Sequence, residues 1–153
     1  MIRPYERRVQ YYETDKMGIV HHSNYIRWFE EARTDYLEQL GAGYEEMESQ
    51  GVISPVLEVS CCYKTMARFP EQFQITVKML QFNGIRMKLG YEVKDVKSGE
   101  IRCTGESAHC FLDENHRPVS LKKSYPGWYE RLYCLPAPSC KKGHRPSDQD
   151  RTG

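Results

Sequence analysis

Apolar residues change their spacing along this 153-residue chain, and each change marks a different kind of element. Ile26, Phe29, Ala32, Tyr36, Leu37 and Leu40 recur at intervals of three and four, the spacing that lines one face of a helix. Ser23 or Asn24 can cap the start and Gly41 the end, which predicts a helix over 24–40 of about four turns. Upstream, Arg7 to Tyr12 favours an extended segment, and Glu13 to Gly18 interrupts it with turn chemistry. Downstream, a short helical piece is expected over 44–49.

Beyond it the pattern becomes that of strands, over Val52 to Lys64, Gln72 to Asn83, Ile85 to Val96 and Ile101 to Leu112. Turn residues separate them at 68–71, 83–84, 97–99 and 113–115. A last short helix is expected over Tyr125 to Tyr133. One long helix followed by four strands at hairpin-like spacing predicts an α+β domain over residues 1–135, in which a largely antiparallel sheet covers the helix. Residues 136–153 are polar and offer almost nothing apolar to bury, so a disordered tail is expected there.

Composition narrows the class. Apolar residues make up 39% and charged residues 28% of the chain, an ordinary globular balance that excludes a disordered or fibrous protein. Lys and Arg number 22 against 21 Asp and Glu, so no field of one sign recruits nucleic acid or an anionic membrane. No apolar run approaches the roughly 20 residues of a membrane span, and the charged start of the chain lacks the apolar core of a signal peptide. A soluble, cytoplasmic protein without stable membrane insertion is expected. The six cysteines, Cys61, Cys62, Cys103, Cys110, Cys134 and Cys140, show no zinc-type spacing and are expected to be free thiols. Cys61 and Cys62 are adjacent, so in a strand they point to opposite faces.

The chemistry concentrates between residues 11 and 33. Asp15 lies after a strand and just ahead of a helix start, where free backbone N–H groups and the positive end of the helix dipole can stabilise an oxyanion. A carboxylate there can attack a carbonyl, giving a mixed anhydride, or take a proton from an attacking water. On its own, an Asp before a glycine is most often a turn residue, and His22 is as readily a loop histidine as a catalytic one. His21 fits a structural or exposed role. A metal site from Asp15, His21 and His22 has no further ligand to complete it, and Glu30 with Arg33 fits an intrahelical partner pair.

The run Tyr-x-Thr-Asp-x-x-Gly-x-Val-x-His-x-Asn-Tyr, continuing to Phe-Glu-x-Ala-Arg, changes those odds. It occupies Tyr12, Thr14, Asp15, Gly18, Val20, His22, Asn24, Tyr25, Phe29, Glu30, Ala32 and Arg33, and it resembles the signature of the hotdog-fold acyl-CoA thioesterases, in the 4-hydroxybenzoyl-CoA and Tol-Pal-associated branch. The resemblance extends over about residues 5 to 133. It implies an antiparallel sheet wrapped round one central helix, hydrolysis of an acyl-CoA to a free acid and CoA, and no metal or organic cofactor. It further implies a homodimer or homotetramer with its site between protomers.

By the same resemblance, Asp15 is the catalytic carboxylate, the backbone N–H near His22 polarises the thioester carbonyl, and the His22 side chain orients substrate or water. Tyr12, Gly18, Val20, Asn24 and Tyr25 line the loop. Lys64, Ala67, Arg68, Phe69 and Pro70 resemble the stretch along which pantetheine and phosphates run, with Lys64 and Arg68 as candidate cations for a phosphate. Gly105 and Glu106 resemble a structural Gly-Glu pair. The chain departs from the family at Glu13, commonly Asp, at Met17, commonly a small residue, and at 66–69. Thioesters on acyl carrier protein, or acyl-CoA binding without catalysis, remain alternatives; a hotdog dehydratase carries its Asp and His at a different spacing.

Overall fold

The computed structural model describes residues 2–133, so the tail expected from Pro136, with Cys134 and Cys140, lies outside the described residues. Five strands form one sheet, β1 (Tyr5–Arg8), β2 (Val56–Tyr63), β3 (Gln72–Phe82), β4 (Arg86–Asp95) and β5 (Ile101–Cys110). They are ordered β1-β3-β4-β5-β2, and every neighbouring pair is antiparallel. The helices are α1 (Ser23–Gln39), α2 (Tyr44–Ser49), α3 (Leu121–Ser124) and α4 (Pro126–Tyr133). This is the hotdog arrangement, with α1 lying in the sheet.

Period-two burial makes the inner face of the sheet. Phe73, Ile75, Val77 and Met79 on β3, with Met87, Leu89, Tyr91 and Val93 on β4, point inward. They meet Tyr25, Trp28, Phe29, Ala32, Tyr36 and Leu37 of α1, and the Phe29 ring stacks on Tyr91 with centroids 4.4 Å apart. The helix approaches β5 so closely that a Cβ built on Gly105 would come within 2.5 Å of Phe29 and of the Ser60 carbonyl. Glycine is the residue that lets the two layers meet there. At its far end α1 closes in a Schellman turn, with the Ala42 N–H on the Leu37 carbonyl, the Gly41 N–H on that of Glu38, and Gly41 at a φ of +74°.

Three expectations change. The first strand ends at Arg8, because Gln10 and Glu13 form a capping box that turns Tyr11–Glu13 into a single 3-10 turn. The second starts at Val56 and not Val52: the Val52 N–H closes α2 on the Met47 carbonyl, and Pro55 has no N–H for the ladder. Arg33 does not pair with Glu30. It is buried, and donates to the hydroxyls of Tyr44 at 2.8 Å and Tyr91 at 3.1 Å.

Beneath Arg33 the polar chain continues through the core. The Tyr91 and Ser107 hydroxyls lie 2.5 Å apart, and Ser107 Oγ lies 2.7 Å from His109 Nε2. Burial first, and the nearby Arg33 charge second, push the His109 imidazole down to about 4. In contrast, the β2 edge is open: Val56, Leu57, Val59 and Tyr63 are all exposed.

Candidate active site

The segment from Glu13 to His22 is a tight loop held from both sides. The Asp15 N–H donates to the Ile19 carbonyl at 2.8 Å and the Gly18 N–H returns to the Asp15 carbonyl at 3.0 Å. Gly18, at a φ of +77°, supplies the left-handed residue that this turn requires. Thr14 and Val20 form an antiparallel bridge across the loop, and the Val20 N–H donates to the Ala67 carbonyl at 2.8 Å. That last bond docks the loop against the stretch ahead of β3.

Glu13 anchors the loop from within. Its carboxylate is 3% exposed and accepts from Arg7 Nη1 at 2.5 Å, the Gln10 N–H at 2.7 Å and Trp28 Nε1 at 2.7 Å. Its backbone carbonyl accepts from the His21 N–H at 2.8 Å and Asn24 Nδ2 at 2.9 Å. Burial alone would raise this carboxyl, but the bonds from Arg7, Gln10 and Trp28 together hold it below the usual range. Arg7 also reaches Glu31 through Nε at 2.7 Å.

At the mouth of α1 most donors are taken. The cap residue is His22, ahead of the expected Ser23 or Asn24, and the His21 ring takes part in the capping. His21 Nδ1 accepts the Ser23 N–H at 3.2 Å and lies 2.8 Å from Ser23 Oγ. The Asn24 N–H goes to the His21 carbonyl and the Tyr25 N–H to that of His22. The His22 N–H finds no acceptor among the described residues, which leaves it as the open donor at the positive end of the helix. Tyr63 of β2 steadies the same residue by donating its hydroxyl to the His22 carbonyl at 3.0 Å.

Asp15 Oδ1 accepts the Met17 N–H at 2.8 Å, while Oδ2 has no partner among the described residues. A half-engaged carboxylate and an open N–H thus stand on one short loop and the helix it enters.

The remaining predicted residues divide. Gly18 and Asn24 build the loop itself. Val20 and Tyr25 are buried in the core. The Tyr12 ring is 80% exposed, and it is Tyr11 whose ring meets Phe69 edge-on at 5.8 Å, with the Arg8 guanidinium 5.5 Å from the Phe69 ring centre. Lys64 and Arg68 are exposed. Glu13 and Tyr63 were not foreseen as site residues. Among the described residues no group of three or more His, Cys, Asp or Glu converges as a metal site, and no helix is long and apolar enough to cross a membrane.

The chain has relatives among known proteins. A putative acyl-CoA thioesterase of Bacillus subtilis, YneP, is 35% identical over 125 residues, covering 81% of this chain and 90% of its own length. The YbgC acyl-CoA thioester hydrolase of Escherichia coli O157:H7 is 27% identical over 117 residues, covering 76% of this chain and 87% of its own. Among solved structures, a DHNA-CoA thioesterase from Staphylococcus aureus superposes with a TM-score of 0.80 at 35% identity, covering 84% of this chain and 87% of that one. The family model described as the Thioesterase-like superfamily matches residues 9–133, from the end of β1 through the Asp15 loop and α1 to the last described residue, and the chain belongs to that family.

Proposed function

We propose that this protein hydrolyses an acyl-CoA thioester to a free carboxylic acid and coenzyme A. The observation that carries the reading is that Asp15, on the loop leading into α1, keeps one carboxylate oxygen free, while the His22 N–H at the start of α1 is open. The N–H accepts the negative charge that develops on the thioester oxygen, and Asp15 either attacks the carbonyl carbon or takes a proton from the attacking water. The thioesterase names carried by relatives that align over most of both chains support the substrate class. The exposed Tyr11 and Phe69 rings offer an apolar edge for the pantetheine arm, and Lys64 and Arg68 offer cations for its phosphates.

The chain works as a homodimer or larger assembly with its site between protomers. An edge strand that exposes Val56, Leu57, Val59 and Tyr63 supports this, since such an edge in a lone protomer invites pairing. Sedimentation of the purified chain at the monomer mass would refute it. The scattered thiols fit a reducing, cytoplasmic setting.

The deciding experiment is a screen of short, medium, long and aromatic acyl-CoAs, with release of free thiol as the readout and the same acyl groups presented on acyl carrier protein. Turnover with one or more acyl-CoAs is expected. Thiol release only from carrier-protein thioesters would replace CoA as the substrate, and retention of intact acyl-CoA without release would make the chain a binding protein.

A further inference from the structure

The register between β2 and β5 brings together two cysteines that stand 42 positions apart in the sequence. Cys61 lies opposite Gly105 and Cys103 opposite Tyr63, so the two are diagonal neighbours on the inner face of the sheet. Their sulfurs are 3.1 Å apart. Cys103 is fully buried, whereas Cys61 is only partly covered, on the strand that edges the sheet. Neither residue belongs to the loop or helix mouth described above, and the Asp15 chemistry uses no thiol.

We propose that Cys61 and Cys103 form a hydroperoxide-reactive dithiol, in which Cys61 is the attacking sulfur and Cys103 the resolving one. The Cys61 thiolate attacks one oxygen of the peroxide. An S–O bond forms, the O–O bond breaks, and the other oxygen leaves as water or as the corresponding alcohol after taking up a proton. Cys103 then attacks the Cys61 sulfenic acid, the S–S bond forms, and the S–O oxygen departs as water with the Cys103 proton. Two thiols lose two electrons and the peroxide gains them.

The asymmetry of the pair fits this division. The hydrogen bond from Cys103, the largest influence, outweighs partial burial and brings the Cys61 thiol down to about 7, so a large fraction is thiolate at neutral pH. That same bond, together with burial, pushes Cys103 up, so it keeps its proton until it resolves. Closing the bond needs the sulfurs to move together by about 1 Å, to the roughly 2.05 Å of a disulfide. Cys62, next in sequence and more exposed, points to the opposite face.

The test uses the full, reduced chain treated with equimolar hydrogen peroxide near neutral pH, followed by intact mass and peptide mapping without reduction. The expected product is lighter by two hydrogens, carries a Cys61–Cys103 linked peptide, and returns to the starting mass with dithiothreitol. Cys103→Ser should stop at one added oxygen on Cys61, trapped by dimedone, and Cys61→Ser should yield no linked peptide and no early oxidation at Cys103. If burial of position 103 prevents the Ser variant from folding, site-resolved dimedone capture in the parent chain decides the order of attack instead. Oxidation falling first on Cys62 or Cys110, or a linkage that omits Cys103, overturns the proposal.

Discussion

The indole N–H of Trp28 donates to Glu13 Oε2 at 2.7 Å, and so ties the second turn of α1 to the loop that presents Asp15. Through the same carboxylate Arg7 joins β1 to that junction. Glu13 therefore holds the Asp15 loop and the helix mouth at a fixed offset.

Replacing Glu13 by Gln should leave Arg7 facing a neutral amide in a nearly closed site. Arg7 keeps Glu31 as a partner, so the cost should lie below the roughly 3 kcal/mol of a buried charge left wholly unpaired, and urea unfolding should show a midpoint shift of that smaller size. The Arg7→Met, Glu13→Gln double variant should lose less than the sum of the two single changes, since the Arg7–Glu13 pair is then removed from both sides. Additive losses would mean that the pair does not act as a unit.

Asp15→Asn keeps the shape of the side chain and removes its charge. Neither nucleophilic attack nor proton abstraction is open to the amide, so kcat should fall by at least about 100-fold. Binding of CoA, measured by calorimetry, should change by less than roughly tenfold. Asp15→Glu should also be poor, because one methylene misplaces a carboxylate in a site that depends on alignment. Near-normal turnover by the Asn variant would remove Asp15 from the chemistry.

His22→Ala leaves the backbone N–H in place. Its loss of rate should therefore be smaller than that of Asp15→Asn if the amide is the donor. An equal loss would assign the imidazole an essential proton transfer.

His109 makes the fold sensitive to acid with a definite sign. Its imidazole is held down to about 4 in the folded chain, whereas in the unfolded chain it titrates near 6.5. As pH falls between those values the unfolded state takes up the proton and the folded state does not, so stability should decline across that window by roughly 3 kcal/mol and level off below it. The depressed Glu13 adds a loss in the same direction at lower pH, as its carboxylate is protonated. Chemical denaturation across pH should show the decline, and His109→Gln should flatten its upper part.

Much of this was legible in the order of residues. The central helix announced itself because its apolar positions and Gly41 obey local rules, and β3, β4 and β5 did so by alternation. The limits of β1 and β2 escaped because they depend on where single N–H groups go: Gln10 into a capping box, Val52 back onto α2, and Pro55 nowhere. Within the site, Asp15 and His22 stand in one contiguous run and could be named together. Glu13 looked like a turn residue until Arg7 and Trp28 closed on it, and Tyr63 had no local sign of reaching His22 from another strand. Arg33 looked like half of an intrahelical pair for the same reason, since the hydroxyls it reaches are distant in sequence.

The missing side chain at Gly105 works as a spacer gauge for the helix and, under the proposed function, for the reaction. Phe29 rests where a Cβ would stand, so the height of α1 above β5 is set by the van der Waals radius of a backbone and a ring. The open N–H at the head of the same helix rides at that height, while Asp15 sits on the loop that leads into it and docks on the Ala67 carbonyl. Adding one methyl at Gly105 would lift the helix and widen the gap that a thioester carbonyl must bridge, in a kind of site where about 1 Å of misplacement can cost 100-fold in rate. The thickness of the core is in that sense a tolerance on the reaction, machined some distance from where bonds are made.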